Sequence, residues 1–248
     1  MLEKIEGIII KTQDYGETHK IITIFSKKIG KFTAIARGAK KTKSRMAAVT
    51  QPFIYGEFLV YVNTGLSTIQ QGEIVNSLRA IREDIIKTAY AAYIMELTDK
   101  LLDSRVPDPF LYDQMYLTMC WIAEHEDSEI PMMMYELKLF KKGGFAPAVD
   151  QCVHCGNKDR APFSFSIGEG GLLCQACRHI DGQAILLPHS IAKLLHLMSS
   201  VGIERIGSIS VKKENKQLLR QLLDAYYEQY GGYYLKSKKF LKQLDLLK

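Results

Sequence analysis

Long hydrophobic runs are missing from this 248-residue chain. No stretch approaches the ~18 consecutive apolar residues that a membrane span requires. The opening residues, MLEKIEGIII, set two acids beside the single Lys4 and carry an apolar stretch only a few residues long, which is not the layout of a secretory leader. These absences predict a soluble, cytoplasmic protein. Catalytic signatures are missing as well: there is no GxxxxGKS/T, no GxGxxG after a strand, no GxSxG and no HExxH. The six histidines are scattered, and His196 falls in an apolar helical stretch where a satisfied structural role is expected. The chain therefore reads as a non-enzyme. Cysteine is also scarce, at five residues, yet four of the five are crowded into one short segment.

What is present starts with an uneven charge. The formal net charge is +6, and residues 1–80 hold twelve Lys or Arg against six Asp or Glu, whereas the remaining 168 residues hold 21 of each. A basic excess confined to one segment favours a polyanionic partner there, although it also suits a well-solvated surface.

Apolar runs at Ile5–Ile10 and Ile21–Phe25, alternation at Phe32, Ala34 and Ala36, and the patterns Phe53–Val62 and Leu66–Val75 predict five strands, broken by polar or glycine-containing stretches. Five strands in about eighty residues, with no helix expected between them, suit an OB-fold barrel. An SH3-like barrel or a meander fits the same strand count. From Leu78 the period changes: Ile81, Ile85, Ala89, Tyr93, Leu97 and Leu101 predict one continuous buried helical stripe. Further helices are expected over Phe110–Glu126 and Pro131–Lys142, and again from Ile191 and from Leu218. The expected class is α+β, with a five-stranded OB barrel at 1–79, a helical domain at 80–149 and 183–248, and a four-cysteine module inserted at 150–182.

That module reads CVHC, 18 residues, then CQAC. The spacing matches a tetrahedral zinc site formed by Cys152, Cys155, Cys174 and Cys177. Two residues between ligands let a tight turn aim both thiolates at one ion, and two such turns close the shell, so a structural zinc is expected and metal catalysis is not. Two disulfides are the alternative, disfavoured in the cytoplasm. His154 and His179 are close enough to compete as ligands, with His154 read as a spectator, and Cys120 is read as a core thiol.

Between the third and fourth strands lies ARGAKKTKSRM, which gathers Arg37, Lys40, Lys41, Lys43 and Arg45 within nine positions. Such a cluster beside a barrel neutralises several phosphates and releases their counterions. Gly38 and its small neighbours are expected to keep the loop open and mobile. Phe32, Tyr55 and Tyr61 are candidates for base stacking, although aromatics in alternating strands more often belong to a core.

The run GIIIKTQDYGETHKIITIFSKKIGKFTAIARGAKKTKSRMAAVTQPF, the cysteine module and the terminal GGYYLKSKKFL resemble the bacterial recombination mediator RecO family over the whole chain. The resemblance implies an OB domain followed by a helical domain with a zinc knuckle. It implies binding of single- and double-stranded DNA, annealing of complementary strands, and help in loading RecA. RecR, sometimes RecF, and the acidic C-terminal tail of single-stranded DNA-binding protein are the implied partners, in the cytoplasm at the nucleoid. By the same likeness, the five cations from Arg37 to Arg45 match the family's basic segment and are the expected DNA contacts. An acidic residue is expected, by that likeness, at the position where this chain has His19. An RNA-binding OB protein and a zinc-stabilised scaffold for protein partners are the rival readings.

Overall fold

The computed structural model describes residues 1–158, 163–207 and 210–245. They gather into two compact units, one made of Met1–Ser128 with Leu235–Lys248, the other of Glu129–Tyr234.

The first unit begins with β1 (Leu2–Tyr15), β2 (His19–Ser26) and β3 (Gly30–Ala36), then a short helix α1 (Arg45–Val49), then β4 (Tyr55–Tyr61) and β5 (Ser67–Asn76). The strands close into a barrel in the order β1-β2-β3-β5-β4. Every pairing is antiparallel except β3 with β5. That closure is the five-stranded Greek key of an OB barrel, and it sets aside the meander. The barrel is filled by alternate residues, among them Ile5, Ile9, Ile22, Ile24, Phe32 and Phe58. Burying each removes a side chain worth about 1.5–3 kcal/mol from water. Ile9 faces the barrel interior, whereas Ile8 pairs with the fully buried Phe25 on the outer face, so both sides of β1 are covered here, and the register shifts between Ile9 and Lys11.

Helices follow as α2 (Arg79–Glu83), α3 (Ile85–Leu101) and α4 (Pro109–Glu124). The continuous stripe expected from Ile81 is therefore two helices. Asp84 is extended, at φ −123° and ψ 123°, and its carboxylate accepts the amides of Ile86 (2.7 Å) and Lys87 (3.0 Å) at the start of α3. Ile85, expected on the buried face, is 59% exposed. The α4 helix lies against the barrel wall: the ring of Phe25 meets Tyr112 edge-on at 5.6 Å, and Tyr55 meets Tyr116 at 4.4 Å. Arg105, in the left-handed region at φ 62°, donates to the carbonyls of Asn63 and Gly65 and so braces the β4–β5 turn.

The second unit contains α5 (Glu129–Lys142), β6 (Phe163–Ser166), β7 (Gly171–Cys174), β8 (Ile185–Leu186), α6 (His189–Ser200) and α7 (Lys213–Tyr230). Helix α5 is its axis, with every residue from Ile130 to Phe140 buried. One of them, Glu136, pairs with Arg220 of α7 at 2.9 Å. The strands form a small sheet in the order β7-β6-β8, an element the cysteine-rich segment did not announce. His196, expected to be satisfied within an apolar face, is exposed on α6, and Cys120, expected in the core, is half-buried. The last helix, α8 (Lys236–Asp245), belongs to the first unit, where the Glu96 carboxylate on α3 accepts the amides of Lys236 (3.2 Å) and Ser237 (2.8 Å). Among the described residues, no helix is long and apolar enough to cross a membrane.

Candidate nucleic-acid interface and metal centre

The basic segment leaves β3 at Ala36 and enters α1 at Arg45. It is anchored rather than open. Gly38 takes φ +69°, the left-handed turn that glycine accepts without strain, and its amide donates to Nδ1 of His19 at 3.0 Å. Ala39 is buried in the barrel core. The Lys40 amide donates to the Thr18 carbonyl at 2.9 Å, and Ser44 caps α1 through the Met46 amide at 3.2 Å. The expectation of an open loop is therefore corrected for Gly38–Lys40, which two hydrogen bonds tie to the β1–β2 hairpin and the Ala39 methyl ties to the core.

All five predicted cations are exposed on this anchored segment. They are not equivalent. Lys40 is engaged by Asp14 at 2.8 Å, and the ammonium holds the Asp14 carboxyl below its ordinary range by hydrogen bonding. Arg37, Lys41, Lys43 and Arg45 have no ion-pair partner among the described residues, so their charge faces solvent. The aromatic candidates separate sharply. Phe32 is fully buried and unavailable for stacking, because odd and even positions of β3 face opposite sides and its side is the core. Tyr55 is half-buried, with its hydroxyl on Glu6 and its ring on Tyr116, so it too is occupied. Tyr61 is 46% exposed. His19 and Asp14, the residues that hold the loop, carry no local signal of this role, since their contacts to Gly38 and Lys40 arise only where the barrel brings these positions together.

In the second unit, Cys152 and Cys155 sit on a turn closed by the Gly156 amide on the Cys152 carbonyl at 2.9 Å, with Gly156 at φ +69°. Cys174 ends β7, and Cys177 lies on the 3₁₀ turn Gln175–Ile180 that follows. The four Sγ atoms all lie within 4.8 Å of one another, and those of Cys155 and Cys174 are 3.7 Å apart. A tetrahedron with metal–sulfur bonds of ~2.3 Å has edges of about 3.8 Å, whereas a disulfide needs about 2.05 Å. All four cysteines are free thiols, so the disulfide alternative is excluded and the cluster can hold a metal ion. Burial opposes ionisation of Cys152, but the backbone amides of Cys155, Cys174 and His154 outweigh it and bring the thiol to about 6. Cys177 is pushed up to about 12 by burial and by its three cysteine neighbours. A metal ion bound among the four would favour their ionisation, since it takes cysteine as the thiolate. His154 and His179 are exposed and stand outside the cluster.

Comparison with known proteins gives two family matches, Recombination protein O N terminal over residues 1–78 and Recombination protein O C terminal over residues 82–239. The chain is similar to the DNA repair protein RecO of Oceanobacillus iheyensis, 61% identical over 245 residues, covering 99% of this chain and 95% of that one. It is 45% identical over 248 residues to the protein of the same name from Bacillus pumilus, covering 100% and 96%. With that of Bacillus cereus the identity is 44% over 245 residues, covering 99% and 98%.

Proposed function

The chain belongs to the recombination protein O family, and on that premise we propose that it acts in DNA repair as a recombination mediator. In this reading it binds single- and double-stranded DNA, anneals complementary strands, and assists RecA loading together with RecR on DNA coated by single-stranded DNA-binding protein. RecF and the acidic tail of that coating protein are further partners, and the site of action is the cytoplasm at the nucleoid. No covalent bond needs to be made or broken. Annealing asks only that repulsion between two polyanions be lowered while their bases stay free to pair.

The observation that carries the reading is the anchored basic segment: Arg37, Lys41, Lys43 and Arg45 present unpaired charge from a fixed backbone beside an OB barrel. Fixing the backbone in advance lowers the ordering cost of binding. Four phosphate contacts correspond to a slope of about −3 in log affinity against log salt on single strands. One zinc ion held by Cys152, Cys155, Cys174 and Cys177 completes the proposal, as a closed structural centre that leaves no position for a reacting water.

The test is equilibrium binding to single-stranded DNA across a salt series. Lys41→Glu with Lys43→Glu is expected to weaken binding at least tenfold at low salt and to flatten the slope. Unchanged affinity and slope would remove the segment from the mechanism. RNA bound much more tightly than DNA of matched sequence would make this an RNA-binding protein instead. An annealing assay on DNA coated with the cognate single-stranded DNA-binding protein, with and without RecR, tests partner use.

A further inference from the structure

We infer that Tyr15, at the tip of the β1–β2 hairpin, is a base-stacking residue that gives the barrel a preference for unpaired over duplex DNA. The inference rests on the DNA-binding reading above and adds a residue and a selectivity to it.

The argument starts from strand register. Tyr15 pairs with His19 across the hairpin, and two residues further down Gln13 pairs with Ile21, Ile21 with Ile35, and Ile35 with Thr68. Cross-strand partners project to the same side of a sheet, and residues two apart share a face. The intervening positions Ile22, Ala34 and Ala36 belong to the barrel core. Tyr15 and the half-buried Ile21 and Ile35 therefore project outward, as one continuous strip on the barrel's outer wall. At its upper end this strip meets the basic segment, because His19, the partner of Tyr15, receives the Gly38 amide at 3.0 Å.

Tyr15 is 50% exposed. A large ring held on a hairpin stem, with half its surface open and an apolar strip beside it, is a stacking platform in search of a flat apolar partner. Neighbouring cations supply the phosphate end of the same ligand, since Arg37 follows β3, two strands away from β1 across β2, at about 10 Å by strand spacing. The chemistry that satisfies both at once is a nucleotide with its base unstacked. Duplex DNA offers the phosphates but keeps its base faces covered, so only single strands engage the ring. Asp14 and Glu17 are the acids on this hairpin; Asp14 is already engaged by Lys40, and Glu17 lies exposed in the turn.

The experiment compares the full-length protein with Tyr15→Ala and Tyr15→Phe, using an oligo-dT strand, an abasic strand of equal length, and a duplex, each over a salt series. Tyr15→Ala should lose about fivefold or more on oligo-dT. Its affinity for the abasic strand and the duplex should stay within twofold of wild type, with an unchanged salt slope. Tyr15→Phe, which keeps the ring, should bind as wild type does. Equal loss on all three ligands would assign Tyr15 a structural role and overturn the inference. If Tyr15→Ala matches wild type on oligo-dT while Lys41→Glu with Lys43→Glu weakens binding, stacking fails and the basic segment stands. If neither variant changes binding, the DNA reading of this face fails with it.

Discussion

At the scale of single residues, burial decides more than residue type. Lys138 of α5 is 7% exposed, and its ammonium donates to the carbonyls of Val201 (2.7 Å), Met134 (3.3 Å) and Met198 (3.5 Å). Desolvation lowers its pKa from 10.5 to about 8, with Glu204 opposing the shift. Between those two values the unfolded chain binds more protons than the folded one, so stability rises with pH through this window. Chemical denaturation at pH 8 and pH 9.5 should show wild type gaining about 1 kcal/mol more than Lys138→Met, which has no proton to lose. An equal response in both would place the pH dependence elsewhere. The sequence could not reveal this lysine, because nothing local distinguishes a helical Lys that points into a core. The aromatics teach the same lesson: Phe32, Tyr55 and Tyr61 look alike in alternating strands, but only Tyr61 retains a substantially open ring. The four cysteines were legible because their spacing is itself the geometry of the site.

At the scale of elements, periodicity located the strands and helices and missed their joints. The stripe from Ile81 to Leu101 keeps its spacing across residue 84, so the hydrophobic pattern reads as one helix. The break is written instead in Asp84, whose carboxylate closes the two leading amides of α3 while its own backbone is extended. Such a residue favours a helix start over a helix interior, because its side chain competes for nearby backbone donors. Asp84→Ala should cost about 1 kcal/mol in thermal or urea unfolding, and Asp84→Asn, which keeps the acceptor oxygen, should recover most of it. A loss that Asn does not recover would point to charge rather than the cap. The basic segment shows a similar gap. Its cations were evident, but the ties that fix it, Gly38 to His19 and Lys40 to Thr18, join positions that only the barrel brings together.

At the scale of the whole molecule, the five strands could be counted in advance, whereas their closure could not. The parallel pairing of β3 with β5 and the β1–β4 seam join segments far apart in the chain, and pattern alone carries no register between them. The return of α8 to the first unit, capped there by Glu96, is equally non-local. This organisation separates two roles. The barrel core draws only on residues between Ile5 and Ile69, while the four cysteines lie wholly in the second unit. Removing the metal should therefore damage one function and spare the other. A chelator strong enough to strip the full-length protein is expected to release one zinc per chain and lower the melting temperature, since the folded chain loses the free energy of binding the ion while its cysteines take up protons. Affinity for single-stranded DNA, measured on the stripped protein below that temperature, should remain within about twofold, because every proposed contact from Tyr15 to Arg45 stands on the barrel. An affinity that collapsed in step with zinc release would show that the cysteine centre supports the DNA surface, and the separation of roles would have to be abandoned.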